Sequence, residues 1–312
     1  MIPVFADPKT DFVFKRIFGV GHDGGERKPL LVALLNHLLE LEGEHRILDV
    51  EHLPLEQHVA VPELKLSIVD VKCTEASGRR FVVEMQVANV EGLEKRIVYN
   101  ASKAYVMQLR SAAAYPTLCD VVGVTICNFK LWPARLEGGG YEVPMLSRWR
   151  MVEQNSHKLG LSQVQYTFLE LPKYAGGDDP RTMVEKWAYF FRETKDLDVV
   201  PPALSEGPFR EALDVARTAA WSPAEWEAYD RAQMAEQDAR GALVVAHGEG
   251  KLEGKLEGKR EALVRLFARA EVALTEDDRV RILECTDAAT LDRWFDRVFG
   301  AKSAAEVLAA RS

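Results

Sequence analysis

The sequence predicts a mixed α/β sheet flanked by helices, followed by a helical C-terminal extension. Three observations support this fold class. Residues 1–175 alternate between helix-like and strand-like patterns. Within them, residues 120–129 are apolar at nearly every position, as in a strand that is covered on both faces. After Pro180 the strand-like patterns end and more polar helical segments follow. Alternating helices and strands favour a sheet with helices packed against it.

The elements of the first 175 residues can be taken in order. A helical apolar face after a Gly-rich loop predicts the first long helix, and β-branched runs on either side of a short polar turn predict a hairpin. The predicted elements are a helix at 30–39, a strand at 47–53, hairpin strands at 66–73 and 81–87, a helix at 93–111, and strands at 120–129 and 163–171.

The remaining residues are predicted to be helical. Helices are expected at 185–193 and 209–221, separated by Pro201 and Pro202, and Ser222-Pro-Ala-Glu225 is a typical helix start. Residues 247–260 repeat Gly-Lys-Leu-Glu every four residues. Glycine costs about 1 kcal/mol in a helix interior, so this segment is either a flexible linker or a helix that pairs with another copy.

These patterns predict four parts of the chain: residues 1–175, a helical region at 176–246, the repeat at 247–260 and a small helical tail at 261–312. The tail has apolar residues at helical spacing. They are Leu291, Trp294, Phe295 and Val298. A homo-oligomer formed through this C-terminal helical region is an expectation.

Composition limits the class of protein. The chain has 312 residues, is 47% hydrophobic and carries a formal net charge of −8. It can bury a sizeable core, and it is not a general basic nucleic-acid binder, although a local basic groove is compatible with this charge.

The cysteines and the N-terminus predict a soluble, cytoplasmic protein. The four cysteines have no CxxC spacing, which favours reduced thiols over disulfides or a zinc site. The N-terminus has no basic-then-apolar signal. The longest apolar stretch, residues 121–129, is about half of what a membrane helix requires, so no membrane contact is expected.

The most informative residues lie on the predicted hairpin. If the chain turns near Ser77, Asp70 lies directly opposite Glu84, and Gln86 lies on the same face as Glu84. Two carboxylates about 4 Å apart repel each other by about 4 kcal/mol at an effective dielectric constant near 20. A hard cation such as Mg²⁺ would offset that repulsion. Metal-assisted phosphodiester hydrolysis is one interpretation of this pair, and a solvated strand face is the other.

A basic helix follows the hairpin. Arg96, Lys103 and Arg110 are spaced by seven residues and therefore lie on one side of the predicted helix. Residues 65–110 contain eight Lys or Arg and five Asp or Glu, a local net charge of +3 in an acidic chain. This helix would suit a phosphate backbone, although ordinary helix-surface charge is an equal alternative. The aromatic residues Trp132, Tyr141, Trp149 and Tyr166 are interpreted as packing residues rather than base-stacking platforms.

The sequence resembles a known family at several ordered motifs. They are Asp7-Pro-Lys-Thr-Asp11-Phe-Val-Phe-Lys15-Arg-Ile-Phe-Gly19, the hairpin with Asp70 and Glu84-x-Gln86, the segment Lys95-Arg96-x-x-Tyr99-x-x-x-Lys103-x-Tyr105, Leu169-Glu-Leu-Pro-Lys173 and the Gly-Lys-Leu-Glu repeat. This set is similar to the Rpn family of recombination-promoting nucleases, also named transposases, in the PD-(D/E)XK superfamily.

The resemblance implies a restriction-endonuclease-like fold, with residues 1–175 as the nuclease core, and Mg²⁺-dependent DNA cleavage, with Mn²⁺ as an alternative metal. It places the metal ligands at Asp70 and Glu84. Gln86 holds the position that is usually lysine, so it could orient water but could not carry the charge. Lys72, on the same strand face as Asp70, is a candidate for supplying the positive charge that Gln86 lacks.

The remaining site residues are expectations. Asp11 is a candidate third acid or, equally, a polar helix cap. Arg96 and Lys103, with Lys72, are expected to contact DNA phosphates. The leading hypothesis is a metal-dependent DNA endonuclease associated with recombination or mobile elements. The alternatives are a catalytically degenerate member that binds DNA or a protein, and a self-associating regulatory protein.

Overall fold

The computed structural model describes residues 3–20, 27–57, 67–109 and 114–309. The chain divides into two compact units, Met1–Glu236 and Gln237–Ser312. Each unit has its own cluster of buried apolar side chains. The part boundaries at residues 175, 246 and 260 stay predictions.

The described strands all belong to the first unit. They are β1 (Val50–His52), β2 (Glu56–Gln57), β3 (Ser67–Ile68), β4 (Val71–Glu75), β5 (Arg80–Gln86), β6 (Val121–Cys127), β7 (Leu146–Trp149) and β8 (Val164–Glu170). Six of them form one sheet in the order β1-β4-β5-β6-β8-β7, and β2 pairs with β3 separately. The neighbours β5, β6 and β8 are parallel, and the other pairings are antiparallel. The predicted mixed sheet is therefore confirmed.

Helices cover both faces of this sheet. In the first unit they are α1 (Asp11–Phe18), α2 (Lys28–Leu39), α3 (Leu93–Val106), α4 (Met183–Glu193) and α5 (Gly207–Ala216). The side chains of one sheet face share the main core with α1, α2, α4 and α5. The other face packs against α3. Every residue of the central strand β6 is buried, as expected for a strand that is covered on both sides.

The predicted hairpin is present, with one correction. Its turn includes Ser77, and β4 pairs with β5 so that Lys72 lies opposite Val82. The first predicted strand, however, is two elements: β3 ends at Ile68, and β4 begins at Val71 after a bend at Asp70. The start of the predicted strand, Leu66, lies outside the described residues.

The Gly-Lys-Leu-Glu repeat is helical. It lies within α6 (Pro223–Arg269), which begins at the predicted Ser222 start, where the backbone N–H of Ser222 donates to Glu225. A Cβ placed on Gly250, Gly254 or Gly258 would meet no described atom within 4 Å. Pairing of this glycine face with a second copy stays a prediction.

The second unit packs the end of α6 against three short helices. These are α7 (Glu276–Leu283), α8 (Ala288–Val298) and α9 (Ala304–Leu308). Leu291, Trp294 and Val298 are buried, as their spacing predicts. Among the described residues, no helix is both long enough and apolar enough to span a membrane.

Candidate active site

Two carboxylates, Asp70 and Glu84, line the same cleft where β4 begins, next to the end of β5. The pairing of Lys72 with Val82 sets Asp70 opposite Glu84, as the sequence predicts. The backbone N–H of Met85 donates to Asp70 Oδ2 at 2.7 Å. Both carboxylates line an open cleft of about 950 Å³, which also includes residues of β3, β5 and α3.

A chain of hydrogen bonds holds the Glu84 carboxylate. Asn100 Nδ2 donates to Glu84 Oε1 at 2.7 Å, and Gln86 Nε2 donates to Glu84 Oε2 at 2.9 Å. Arg96 Nη2 in turn donates to Gln86 Oε1 at 2.5 Å. Both oxygens of Glu84 and both ends of the Gln86 amide therefore have fixed partners, and Arg96 orients Gln86.

Burial changes the acidity of both carboxyl groups. Burial raises the pKa of Asp70 to about 7; the Met85 N–H opposes this rise, and the nearby Glu84 adds to it. Burial also raises the pKa of Glu84, against the hydrogen bond from Asn100 and the charge of Arg96. Two acids with raised pKa values in one cleft are typical of a functional site or of a site that holds a cation.

The N-terminal helix α1 contributes charge to this site. Asp11 and Lys15, one helical turn apart, form an ion pair at 2.7 Å. The charge of Asp11 raises the pKa of Asp70 and that of Lys15 lowers it, so both act on Asp70 through space. Neither is among the described residues that line the cleft. Asp11 therefore lies close enough to the site for its charge to act on Asp70, although it does not line the cleft.

The three predicted phosphate contacts occupy different environments. Arg96 is exposed and lines the cleft. Lys103 and Lys72 are buried, each about 4% exposed, and do not line it. Burial lowers the pKa of Lys72, and the charges of Arg80 and Lys103 add to that effect. Arg110 lies outside the described residues, so the predicted basic face of α3 is represented in the cleft by Arg96.

The carboxylate pair fits a hard divalent ion. Mg²⁺ is usually bound by one or two carboxylates and keeps several waters, and here a half-buried and a buried carboxylate line one open cleft. Among the described side chains, no group of three or more His, Cys, Asp or Glu residues could hold a metal ion. An ion held by Asp70 and Glu84 would therefore complete its coordination with water or with phosphate oxygens.

Sequence reasoning missed two residues near this site. Asn100 lies one helical turn after Arg96, so its helical spacing could have indicated that it shares the Glu84 side of α3. Lys15 stands four residues after Asp11, and that spacing predicts their ion pair. Neither signal identifies the partner across the fold, because that depends on how the helices pack.

The remaining ordered motifs have a structural role in the fold. Lys9 pairs with Asp7 at 2.8 Å and donates to the Phe191 carbonyl oxygen. Glu170 and Lys173 form a fully buried ion pair at 2.7 Å. These pairs tie the N-terminal segment and the loop after β6 to the sheet and its helices.

Comparison with known proteins gave one family. Residues 8–246 match the family described as PD-(D/E)XK nuclease family transposase. No curated protein and no solved structure was similar enough to count as a match. The family match, together with the six-stranded mixed sheet and its flanking helices, confirms the restriction-endonuclease-like fold predicted from the sequence.

Proposed function

The chain belongs to the PD-(D/E)XK nuclease family transposases, and we propose that it is a Mg²⁺-dependent DNA endonuclease. The family supports a nuclease-type function. One observation carries the finer proposal: Asp70 lies half-buried beside the buried Glu84 in an open cleft, and its pKa is raised to about 7. Such a pair is destabilising by itself and is stabilised by a divalent cation.

Each cleft residue has a proposed role. Asp70 and Glu84 hold the metal, which polarises the phosphoryl group and lowers the pKa of water when bound. Gln86, held by Arg96, orients the attacking water. Arg96, at the rim of the cleft, contacts a phosphate of the substrate. Asn100 is a positioning residue, since its amide fixes the Glu84 carboxylate.

Cleavage of supercoiled plasmid DNA tests this proposal. The purified protein is expected to cut DNA with Mg²⁺ or Mn²⁺ and to be inactive with EDTA. Glu84→Ala is expected to lower the rate at least 1000-fold, because loss of a metal ligand removes the metal and the Asn100 contact together. Asp49→Ala, which changes an exposed acid, should retain full activity.

The result also separates the alternatives. Binding of labelled DNA with no cleavage in any divalent metal would contradict the nuclease proposal and favour a degenerate, binding-only member. Association with recombination or mobile elements stays a prediction, as does self-association.

Lys15 is the proposed source of the positive charge that Gln86 lacks. Neither lysine lines the cleft, but the charge of Lys15, whose ammonium pairs with Asp11, acts on Asp70, whereas Lys72, the residue suggested by the sequence, is buried. A lysine near the reacting phosphate stabilises the charge that develops in the transition state. Asp11 then acts by holding Lys15.

Replacing each lysine with methionine distinguishes the two assignments. Lys15→Met is expected to lower kcat by about 10- to 100-fold. Lys72→Met should keep kcat and raise the unfolding midpoint, because it removes a buried charge that is repelled by Arg80 and Lys103. Equal loss of kcat in both variants, or a loss in Lys72→Met alone, would reject the assignment to Lys15.

A further inference from the structure

A small hairpin follows β6. Arg135 and Tyr141 form an antiparallel bridge, and the backbone N–H of Glu142 donates to the Ala134 carbonyl oxygen at 3.0 Å. Three consecutive glycines at residues 138–140 have positive φ angles of 95°, 106° and 81°. Glycine adopts such angles without steric cost, so this tip is a tight turn that fixes Arg135 beside Tyr141.

Three cations surround the ring of Tyr141. Lys130 Nζ lies 5.1 Å from the ring centroid, Arg135 Cζ lies 4.7 Å from it, and Lys173 Nζ lies 5.1 Å from it. Arg135 Nη2 also donates to the Tyr141 hydroxyl at 3.0 Å. Three positive charges are therefore gathered around the Tyr141 side chain, in a protein whose net charge is −8.

Two of these charges are not neutralised within the described part of the chain. Lys173 is paired with Glu170 at 2.7 Å. Lys130 and Arg135 are exposed, and no described carboxylate forms an ion pair with either of them. Their hydrogen bonds and charges lower the pKa of Tyr141, with the bond from Lys130 as the largest cause. Neighbouring charges of one sign on a surface attract ions of the opposite sign, so this cluster attracts anions.

The cluster lies at the end of the sheet where the parallel strands β5, β6 and β8 terminate, and Gln86 lies at the same end. In the parallel register Gln86, Cys127 and Glu170 are aligned across three neighbouring strands. Strands lie about 4.8 Å apart, so roughly 10 Å separates the backbones of Gln86 and Glu170. The loop that leads to Lys130 begins here, since the Asn128 N–H donates to the Gln86 carbonyl oxygen at 2.8 Å.

Glu170 fixes the loop relative to this edge. Its Oε2 accepts hydrogen bonds from the backbone N–H groups of Leu131 and Trp132, at 2.7 and 3.3 Å. Lys173, bound to the other oxygen of Glu170, donates to the Val143 carbonyl oxygen at 2.7 Å. Both ends of the loop are therefore anchored at the end of the sheet that carries Gln86, and Gln86 lines the cleft.

We propose that Lys130, Arg135 and the Tyr141 hydroxyl bind a backbone phosphate of the nucleic acid that the cleft holds, a few nucleotides away from the bond in the cleft. The guanidinium fork, the ammonium and the phenol hydroxyl are all donors to phosphate oxygens. The separation of about 10 Å between the Gln86 and Glu170 backbones corresponds to about three base-pair steps along a duplex. The inference rests on the proposed function, because it assigns a binding site for the substrate of that cleft.

A charge-matched pair of double variants tests the site. Lys130→Gln/Arg135→Gln removes the two unneutralised cations, and Lys158→Gln/Arg181→Gln removes two exposed cations elsewhere in the same unit. Binding of a fluorescent DNA duplex is measured by anisotropy in Ca²⁺ over a range of NaCl concentrations, with tryptophan fluorescence to check folding. Cleavage kinetics in Mg²⁺ give KM and kcat.

The first double variant is expected to bind DNA about 10-fold more weakly near 150 mM salt. Its plot of log K against log salt should be shallower by about 0.9, since the loss of one neutralised phosphate changes the slope by about that amount. KM should rise while kcat is retained, and the control variant should behave as the wild type. Tyr141→Phe should show a smaller loss of affinity, because it removes the hydroxyl and keeps the ring.

Some outcomes would contradict this inference and leave the proposed function standing, and one would contradict the proposed function itself. If the wild type binds and cuts DNA but both double variants lose affinity equally, the cluster is no phosphate site. If the first double variant binds inorganic phosphate more weakly than the wild type but keeps the wild-type affinity for DNA, the site takes free phosphate rather than a nucleic-acid backbone. If the wild type neither binds nor cuts DNA, the proposed function itself fails.

Discussion

Replacing Asp70 with asparagine is expected to abolish metal-dependent cleavage and, at pH 8, to make the metal-free protein more stable. Burial raises the pKa of Asp70 to about 7, against an ordinary value of 3.8. At about 1.4 kcal/mol for each pKa unit, the ionised carboxylate reduces the free energy of unfolding by at most ~4 kcal/mol. Water in the open cleft lowers that figure, so a gain of about 1–3 kcal/mol is expected.

Asparagine suits this position because it keeps the local hydrogen bond. Its amide oxygen can accept from the Met85 N–H, as Asp70 Oδ2 does at 2.7 Å. Glu84→Gln provides the contrast, since both Glu84 oxygens accept hydrogen bonds from side-chain amides. A glutamine there has one acceptor oxygen and one donor NH₂ group. One of the two donors, Asn100 Nδ2 or Gln86 Nε2, would therefore face another N–H group and lose its acceptor. Only Asp70→Asn should therefore combine lost activity with increased stability.

The stability gain has a definite pH dependence. Well below pH 4 the Asp70 carboxyl is protonated in both the folded and the unfolded chain, so it has no effect on the pH dependence of stability. Between pH 4 and 7 the unfolded chain ionises first, and the folded state loses stability as pH rises. Above pH 7 the penalty is complete. The difference between Asp70→Asn and the wild type is therefore expected to grow from pH 5 to pH 8.

Added Mg²⁺ should stabilise the wild type relative to Asp70→Asn, the opposite of the difference expected without metal. Metal binding requires the ionised carboxylate, so Mg²⁺ is expected to stabilise the wild type more at pH 8 than at pH 5.5. At a concentration 100-fold above Kd the stabilisation is about 2.7 kcal/mol. Urea unfolding followed by tryptophan fluorescence measures these differences, because five of the six tryptophans lie in the first unit.

The controls separate a metal site from general charge effects. Asp70→Asn should show no Mg²⁺-dependent shift, and Asp49→Asn, at an exposed position, should behave as the wild type. Equal stabilisation of all three proteins by Mg²⁺, or a loss of stability in Asp70→Asn at pH 8, would contradict the assignment of Asp70 as a half-buried metal ligand.

The pairing of Asp70 with Glu84 could be predicted because one turn determines it. Alternation along two apolar strands fixes the faces, and the polar segment around Ser77 fixes the register. The bend at Asp70 could not be predicted, since the residues before it continue the same apolar alternation. That bend ends the strand before Asp70, and the Met85 N–H reaches the Asp70 carboxylate beside it.

The environments of the basic residues depend on packing that spacing does not reveal. Arg96 and Lys103 lie on nearly the same side of α3, yet Arg96 faces the cleft and Lys103 is buried near Lys72. Seven residues are about 10 Å of helix, enough to pass from the end of the strands to a position above the sheet. Periodicity gives the side of a helix and not what lies beneath it.

The Gly-Lys-Leu-Glu repeat also shows that sequence spacing does not reveal how a helix packs. Leu252 and Leu256 occupy equivalent positions in successive Gly-Lys-Leu-Glu units, but Leu252 is exposed and Leu256 is buried with Leu263 and Phe267. Glycine content alone favours a weak helix. Packing of the last turns of α6 against the short helices of the second unit stabilises it, and no local pattern contains that information.

Lys173→Met is expected to lower the free energy of unfolding by about 3–5 kcal/mol. Lys173 and Glu170 have side chains that are 1% and 0% exposed, so the substitution leaves a buried carboxylate without its counter-charge. It also leaves the Val143 carbonyl oxygen without its donor. Urea unfolding followed by tryptophan fluorescence measures the loss, with Arg210→Met as the matched control. That control breaks an exposed pair, so it should change stability by less than about 0.5 kcal/mol.

A second substitution distinguishes a buried charge from lost packing. In Glu170→Gln/Lys173→Met, the neutral amide oxygen can still accept from the Leu131 N–H, which Glu170 accepts at 2.7 Å. Removing both charges avoids the uncompensated carboxylate, so the double variant is expected to recover at least half of the lost stability. A double variant as unstable as Lys173→Met would mean that the lysine stem and its bond to Val143 matter more than the charge. Recovery would show that this buried pair holds the loop after β6 in place through mutual neutralisation.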